Sequence, residues 1–292
     1  MTTLTPRQLF GLALVTLMWG LNWPIMKLVL TEMAPLHYRA STMGLGAIAL
    51  GAWFALRGIR IWPRDTAEWR AIVVLGAPNI LGWHSLSIIG VDLLPSGRAA
   101  ILGFTMPVWT VLLAVLFYGE RLSGRLVIAV AAVLGSIALL LRGELAQMTG
   151  QPAGVLWMQG AALSWALGTI WMRRARLTLP PQALVVWMLL LSTPVLGLLA
   201  GVLEPPQVWF FSLPVWICLL WSVFINYGAA QVIWFALARE LPPTTSAMST
   251  MAIPIVGVLS APAIVGEWPN WQDLAAMAGV LVAIGAVLLR RP

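Results

Sequence analysis

The sequence predicts an all-α integral membrane protein: ten transmembrane helices, arranged as two inverted five-helix repeats around a central cavity. Three observations lead there. Of 292 residues, 60% are apolar and 9% charged, where a soluble domain carries about 25% charged residues. Ten stretches contain no Asp, Glu, Lys or Arg, and each can supply one span of about 20 apolar residues. The second half of the chain repeats the first at a fixed offset. The composition excludes a secreted globule, a disordered chain and a cytosolic enzyme. The apolar runs are continuous rather than alternating, which excludes a membrane β-barrel.

Taken in order, the charge-free runs give helices over 8–30, 36–56, 69–91, 95–118 and 123–142, then 152–173, 182–203, 213–238, 243–265 and 270–290. Arg7 and the run after it resemble a secretory signal, but the run is too long and no small-x-small cleavage site follows. It is therefore expected to remain as the first helix. Connections are mostly short, so neighbouring helices run antiparallel.

Orientation follows from the cations. With the N-terminus in the cytoplasm, 13 arginines fall on the inner side, and Lys27, Arg39, Arg98 and Arg142 make 4 cations on the outer side. Cytoplasmic loops carry such an excess. The net charge of +7 is thus a topology signal and implies no nucleic acid partner. Both termini are expected in the cytoplasm of a cell with the protein in its inner membrane.

A shift of 147 places Asn79 on Asn226, Pro95 on Pro242, Pro107 on Pro254, Gly119 on Gly266 and Glu120 on Glu267, with His84 meeting Gln231. A shift of 146 places Trp19 on Trp165, Leu21 on Leu167, Met26 on Met172 and Lys27 on Arg173. The expected repeats are 1–146 and 147–292. Five helices per repeat is an odd number, so the second must be inverted. Gly119-Glu120-Arg121 lies on the arginine-rich side, and Gly266-Glu267-Trp268 has lost the arginine. Inverted repeats are a common plan of secondary transporters.

These residues carry a resemblance. Each half resembles an EamA-type domain of the drug/metabolite transporter superfamily. The first shows Trp19-Gly20-x-Asn22-Trp23-Pro24-x-x-Lys27, Pro35 with Arg39, Pro107, and Gly119-Glu120-Arg121-Leu122; the second carries a degenerate copy with Pro254 and Gly266-Glu267. The resemblance implies ten helices and transport of small metabolites, and within the superfamily the chain is similar to bacterial amino-acid and metabolite exporters.

Polar side chains at bilayer depth usually face the bundle interior. The candidates for substrate contact are Asn22 on the first helix, Asn79 and His84 on the third, Asn226 and Gln231 on the eighth, and the tryptophans Trp19, Trp23, Trp83 and Trp165. Thr245, Ser246, Ser249 and Thr250 add hydroxyls on the ninth. Gly76, Asn79, Trp83, Ser87 and Gly90 share one helical face, as do Thr16, Trp19, Trp23 and Met26. The competing reading is plain packing: intramembrane Asn, Ser and Thr often bond to neighbouring helices, for about 0.6 kcal/mol. Asn79 and Asn226 stand out because the repeat makes them equivalent. Trp62, Trp69, Trp209, Trp268 and Trp271, at span ends, read as interfacial anchors. Pro78, Pro107 and Pro254 remove helical hydrogen bonds and are expected to kink their helices; Pro107 and Pro254 are candidate hinges, and a static kink is the alternative. Lys27 and Arg39 are placed near the outer mouth, and the resemblance makes Lys27 a candidate for an outer gate. Glu120 and Glu267 read as caps. Cys218, the single cysteine, reads as packing.

No Asp or Glu lies mid-span, and the chain has 2 His, too few for a clustered metal site. No enzyme, metal or cofactor is expected. The first helix offers Asn22 and no carboxylate against a cationic drug, and few cations are available for a sugar phosphate. A small neutral or zwitterionic solute remains, with amino acids foremost; efflux of other metabolites or drugs and a passive pore are the alternatives. The partners are that solute and the lipid bilayer, and both repeats in one chain suffice for a functional monomer. His84 is the deep ionisable side chain. Without a carboxylate partner it is expected neutral, which favours a facilitator over a proton-coupled carrier.

Overall fold

The computed structural model describes residues 4–119, 123–146, 151–175, 177–241 and 251–288. Glu120, Arg121, Leu122, Pro242, Thr245, Ser246, Ser249 and Thr250 lie outside the described residues. Helices α1 (Pro6–Val29), α2 (Pro35–Leu56), α3 (Thr66–Leu93), α4 (Ser96–Tyr118) and α5 (Gly124–Ala146) make the first half. Helices α6 (Pro152–Arg174), α7 (Pro181–Leu203), α8 (Leu213–Leu220 continuing to Ala230–Glu240), α9 (Ile253–Val265) and α10 (Trp271–Leu288) make the second. Among them α1, α3, α4, α5, α7 and α8 are long and apolar enough to cross a membrane by length and hydropathy alone.

Helix starts follow local chemistry. Thr5 caps α1 in a reciprocal pair with Gln8, and Pro6 opens the helix, where a missing N–H is harmless. Other ends are capped from a distance. Glu204, at the end of α7, accepts from Leu36 N (2.6 Å), His37 N (3.0 Å) and His37 Nδ1 (2.7 Å) at the start of α2. Glu267 accepts from Ser96 N and Oγ, both at 2.6 Å, and so caps α4. Lys27 Nζ donates to Val91 O (3.0 Å) and Asp92 O (2.6 Å), the last carbonyls of α3, where a cation suits the helix dipole. In the loop after α1, exposed Glu32 accepts from Ser212 N and Oγ, and these bonds hold its carboxyl below the usual range. Gly119 and Gly266 end α4 and α9 at φ +65° and +71°, a left-handed conformation that glycine adopts freely. Their offset in sequence is thus matched by one backbone role.

The two halves interleave. Helix α3 packs on α6 as α8 packs on α1; α1 packs on α9 as α6 packs on α4; α2 meets α7, and α5 meets α10. One large apolar cluster joins them, from Trp23 and Tyr38 through Ile101 and Leu102 to Met158 and Val258. Outward faces carry Leu45, Ile48, Leu116, Phe117, Ile128, Leu198, Ile217 and Leu259, all exposed, a surface suited to hydrocarbon. Close crossings use missing side chains: a Cβ on Gly46 of α2 would lie 2.4 Å from Tyr227 Cβ of α8.

Two sequence expectations change. Pro107 and Pro254 do not kink continuous helices. Each stands in the first turn of a helical segment that follows a turn, at 104–105 and 251–252. Trp69, at a span end as expected of an interfacial anchor, is half-buried and edge-on to Trp187 at 4.7 Å. Arg39 is not at an open mouth. Because Glu204 folds over the start of α2, Arg39 lies a turn inside the protein, 3% exposed.

Candidate functional site

The backbone is unusual at two places, and they are repeat equivalents. Ala77–Gly82 in α3 and Trp221–Ala229 in α8 are π-helical. Such wider turns make up well under 1% of residues and collect at functional sites. The first contains Pro78, which cannot donate a backbone hydrogen bond; the second contains no proline. Each presents a buried asparagine, Asn79 at 3% and Asn226 at 9% exposure. Asn79 Nδ2 donates to Leu75 O at 3.1 Å, and its amide fills the space above Gly168 of α6, where a Cβ would approach it to 2.3 Å. Ser164 Oγ of α6 donates to Pro78 O at 2.9 Å, satisfying a carbonyl of the same segment. The two asparagines do not bond to each other.

The tryptophans form two separate groups. Trp83 of α3 meets Trp165 of α6 edge-on at 5.5 Å. Both Trp83 and Trp23 reach Gly103, just before the α4 turn, where a Cβ would come within 3.2 Å and 2.9 Å of their rings. Trp19 of α1 packs against Trp234 of α8 at 5.4 Å. Asn22, beside these on α1, is buried, and its Oδ1 has no hydrogen-bond partner. Gln231, five residues beyond Asn226, is half-buried. Lys27 holds the end of α3, as described above, and Pro107 and Pro254 follow their turns. The α4 turn is braced by Gln159 of α6, which the sequence reading passed over. Its Oε1 accepts from Trp109 Nε1 (2.9 Å) and Thr105 Oγ1 (3.2 Å), and its Nε2 donates to Leu102 O (3.3 Å).

Sequence reasoning also missed a cluster that joins α2, α8 and α3. Arg39 Nη1 donates to Tyr227 Oη at 3.1 Å, and Tyr227 Oη lies 3.4 Å from His84 Nδ1. Tyr38, next to Arg39, bonds through its hydroxyl to Ser222 Oγ at 2.8 Å. Both α8 partners, Ser222 and Tyr227, belong to the π-helical segment. Tyr227 follows Asn226 directly, so the repeat pointed to the right segment.

Buried charge is neutralised elsewhere. Arg98 of α4 (4% exposed) pairs through Nε with Asp273 of α10 at 2.6 Å and through Nη1 with Glu144 of α5. At the opposite end, Arg60 forks onto Glu68 at 2.8 and 2.9 Å. Among the described residues no three His, Cys, Asp or Glu side chains converge on a metal site.

Comparison with known proteins agrees with this architecture. The sequence model of the EamA-like transporter family matches residues 7–142 and 152–291. The transporter YvbV of Bacillus subtilis is 26% identical over 95% of this chain and 89% of its own length. A Salmonella typhimurium protein named a probable amino-acid metabolite efflux pump is 24% identical, covering 95% of both chains. A crystal structure superposes with a TM-score of 0.65 at 21% identity, covering 94% of this chain and 95% of that one, which shows a shared fold. The protein is a multi-pass membrane transporter and not an enzyme: the chain belongs to the EamA-like transporter family.

Proposed function

We propose that the protein exports small neutral or zwitterionic metabolites, amino acids foremost, by alternating access. The observation that carries this is the pair of π-helical segments at equivalent places in the two repeats, each with a buried asparagine. Transporters of inverted design place their sites near mid-membrane on irregular helix segments, where freed backbone and amide groups hold the solute. Asn79, Asn226, Asn22 and Gln231 supply amides; Trp19, Trp23, Trp83 and Trp165 supply aromatic walls; His84 adds a ring nitrogen. Rocking bends at the turns before Pro107 and Pro254, while Lys27 fastens α1 to the outer end of α3. The efflux-pump name of the Salmonella relative supports the solute class. Each repeat, 1–146 and 147–292, contributes one half of the path, and one chain suffices in the inner membrane.

Counterflow in proteoliposomes tests this. Vesicles loaded with an unlabelled amino acid and holding no ion gradient are expected to take up the labelled form, with saturation and trans-stimulation. Asn79→Ala and Asn226→Ala should lower the rate more than they lower folded yield. His84→Gln should keep most activity, since among the described residues no carboxylate partners His84, and a pH gradient should not concentrate the solute. Unsaturable flux would make the protein a pore. Accumulation driven by pH and lost in His84→Gln would make it proton-coupled.

Orientation is part of the proposal: N- and C-termini inside, from the arginine distribution. In a Cys218→Ser background, an impermeant thiol reagent added outside should label Pro206→Cys and spare Ala175→Cys. The reverse pattern overturns the orientation.

A further inference from the structure

Among the described residues, Arg39 is a buried cation without an anion. The residue is 3% exposed, and its guanidinium cannot lose its charge in a protein. Arg98, equally buried, is held by two carboxylates. No ion pair among the described residues includes Arg39. Glu204, the acid that caps the start of the same helix, is occupied by Leu36 N, His37 N and His37 Nδ1. The groups that do meet Arg39 are neutral: Tyr227 Oη on Nη1, Met26 Sδ on Nη2 at 3.0 Å, and the Tyr38 ring at 5.6 Å. Nε is buried and has no hydrogen-bond partner among the described residues.

Which nitrogens are left matters. Nε–H and the neighbouring Nη2–H form the side-on fork that matches a carboxylate with two parallel hydrogen bonds. In Arg39 one prong is bare and the other touches a thioether, a weak acceptor. The stronger partner, Tyr227, holds Nη1 and leaves that fork open. A buried charge in this condition is costly to the fold, and the repeat does not require it. Helices α2 and α7 open on the equivalent prolines Pro35 and Pro181, so the counterpart of Arg39 is the neutral Val185.

We propose that Arg39 binds the carboxylate of the transported solute through Nε and Nη2, displacing Met26 Sδ. The inference rests on the transporter reading and narrows it. The solute has a free carboxylate, and it is oriented by a charge that one repeat has and the other lacks. Tyr227 fixes the guanidinium and links it to His84, so its hydroxyl is a positioning group.

The test uses purified protein in detergent, with thermal unfolding midpoints read against four probes of one shape: phenylalanine, 3-phenylpropanoate, phenylalaninamide and phenethylamine. Phenylalanine and 3-phenylpropanoate are expected to raise the wild-type midpoint, and the two probes without a carboxylate to leave it unchanged. Arg39→Gln should lose at least tenfold in affinity for both acids while its ligand-free midpoint stays level or rises, because a lone charge has been removed. Arg39→Lys, with charge but no fork, should fall between. The inference is overturned if amide and acid bind alike, if Arg39→Gln binds phenylalanine as wild type does, or if neither acid shifts the wild type. The same probes in counterflow separate the two claims. Transport of phenethylamine would sink the Arg39 site and leave a transporter, whereas carboxylate-selective binding without any counterflow would sink the transport reading alone.

Discussion

Arg98→Met is expected to lower stability by about 3–5 kcal/mol, the range for leaving buried charge uncompensated. The change strands two carboxylates: Glu144, 3% exposed, and Asp273, 7% exposed. Both have other duties. Glu144 Oε2 accepts from Gln151 N, and Asp273 Oδ2 from Asn270 N, each at 2.8 Å, so neither can turn away without opening a loop. Three helices, α4, α5 and α10, meet at this one guanidinium. The measurement is the unfolding midpoint and the folded yield after extraction. The triple variant Arg98→Met, Glu144→Gln, Asp273→Asn should recover most of the loss, because it removes the charges together. A wild-type midpoint for Arg98→Met alone would show that the network contributes nothing. The contrast with Arg39→Gln is direct: two arginines buried to the same degree respond oppositely, according to whether a protein carboxylate is present.

Gly46→Ala is the second large effect. The new methyl would stand 2.4 Å from Tyr227 Cβ and 3.0 Å from its Cγ. These atoms sit at the root of the side chain, so α8 itself must shift from α2, and overpacking of this kind costs about 1–3 kcal/mol. The shift also carries the Tyr227 hydroxyl away from Arg39 and His84. Transport and carboxylate binding should both fall, beyond what reduced yield explains. Gly197→Ala on α7 is the control, since nothing lies within 4 Å of its added Cβ and alanine favours a helix; it should be neutral or slightly stabilising. Equal behaviour of the two variants would show that the α2–α8 contact yields freely.

The helices and the repeat were legible because each has a strong one-dimensional sign. A span forbids charge over about 20 residues, and Pro, Asn and Gly-Glu pairs recurring at one offset have no apolar explanation. Gly119 and Gly266 could be matched by position, and the structure gives both the same left-handed end. The π-helical segments left no such sign. Pro78 hints at one, but Trp221–Ala229 holds no proline, and its wider turn depends on what α2 and α1 press against it. Arg39 was misread for a related reason. A charge four residues into a helix normally marks the water boundary, and only the remote cap from Glu204, 168 positions away from Leu36, draws that boundary outward past it. Gln159 escaped notice because its task, bracing a turn in α4, exists only once the turn does.

The interleaving of the halves also decides when the chain can become itself. Helix α1 leaves the ribosome well before α8 and α9, yet it packs on both; Gln8 and Glu240, which join α1 to α8, are 232 positions apart. Helix α3 waits likewise for α6 and α7. A nascent chain of five inserted helices therefore has its small-residue faces turned to lipid, with no partner yet synthesised. Packing of α2 and α3 can begin once α6 and α7 arrive, whereas α1 waits for α8 and α9. Membrane quality control thus meets, for much of synthesis, helices whose long-range partners are not yet made, and a chain cut short before α8 lacks both second-half helices that pack on α1.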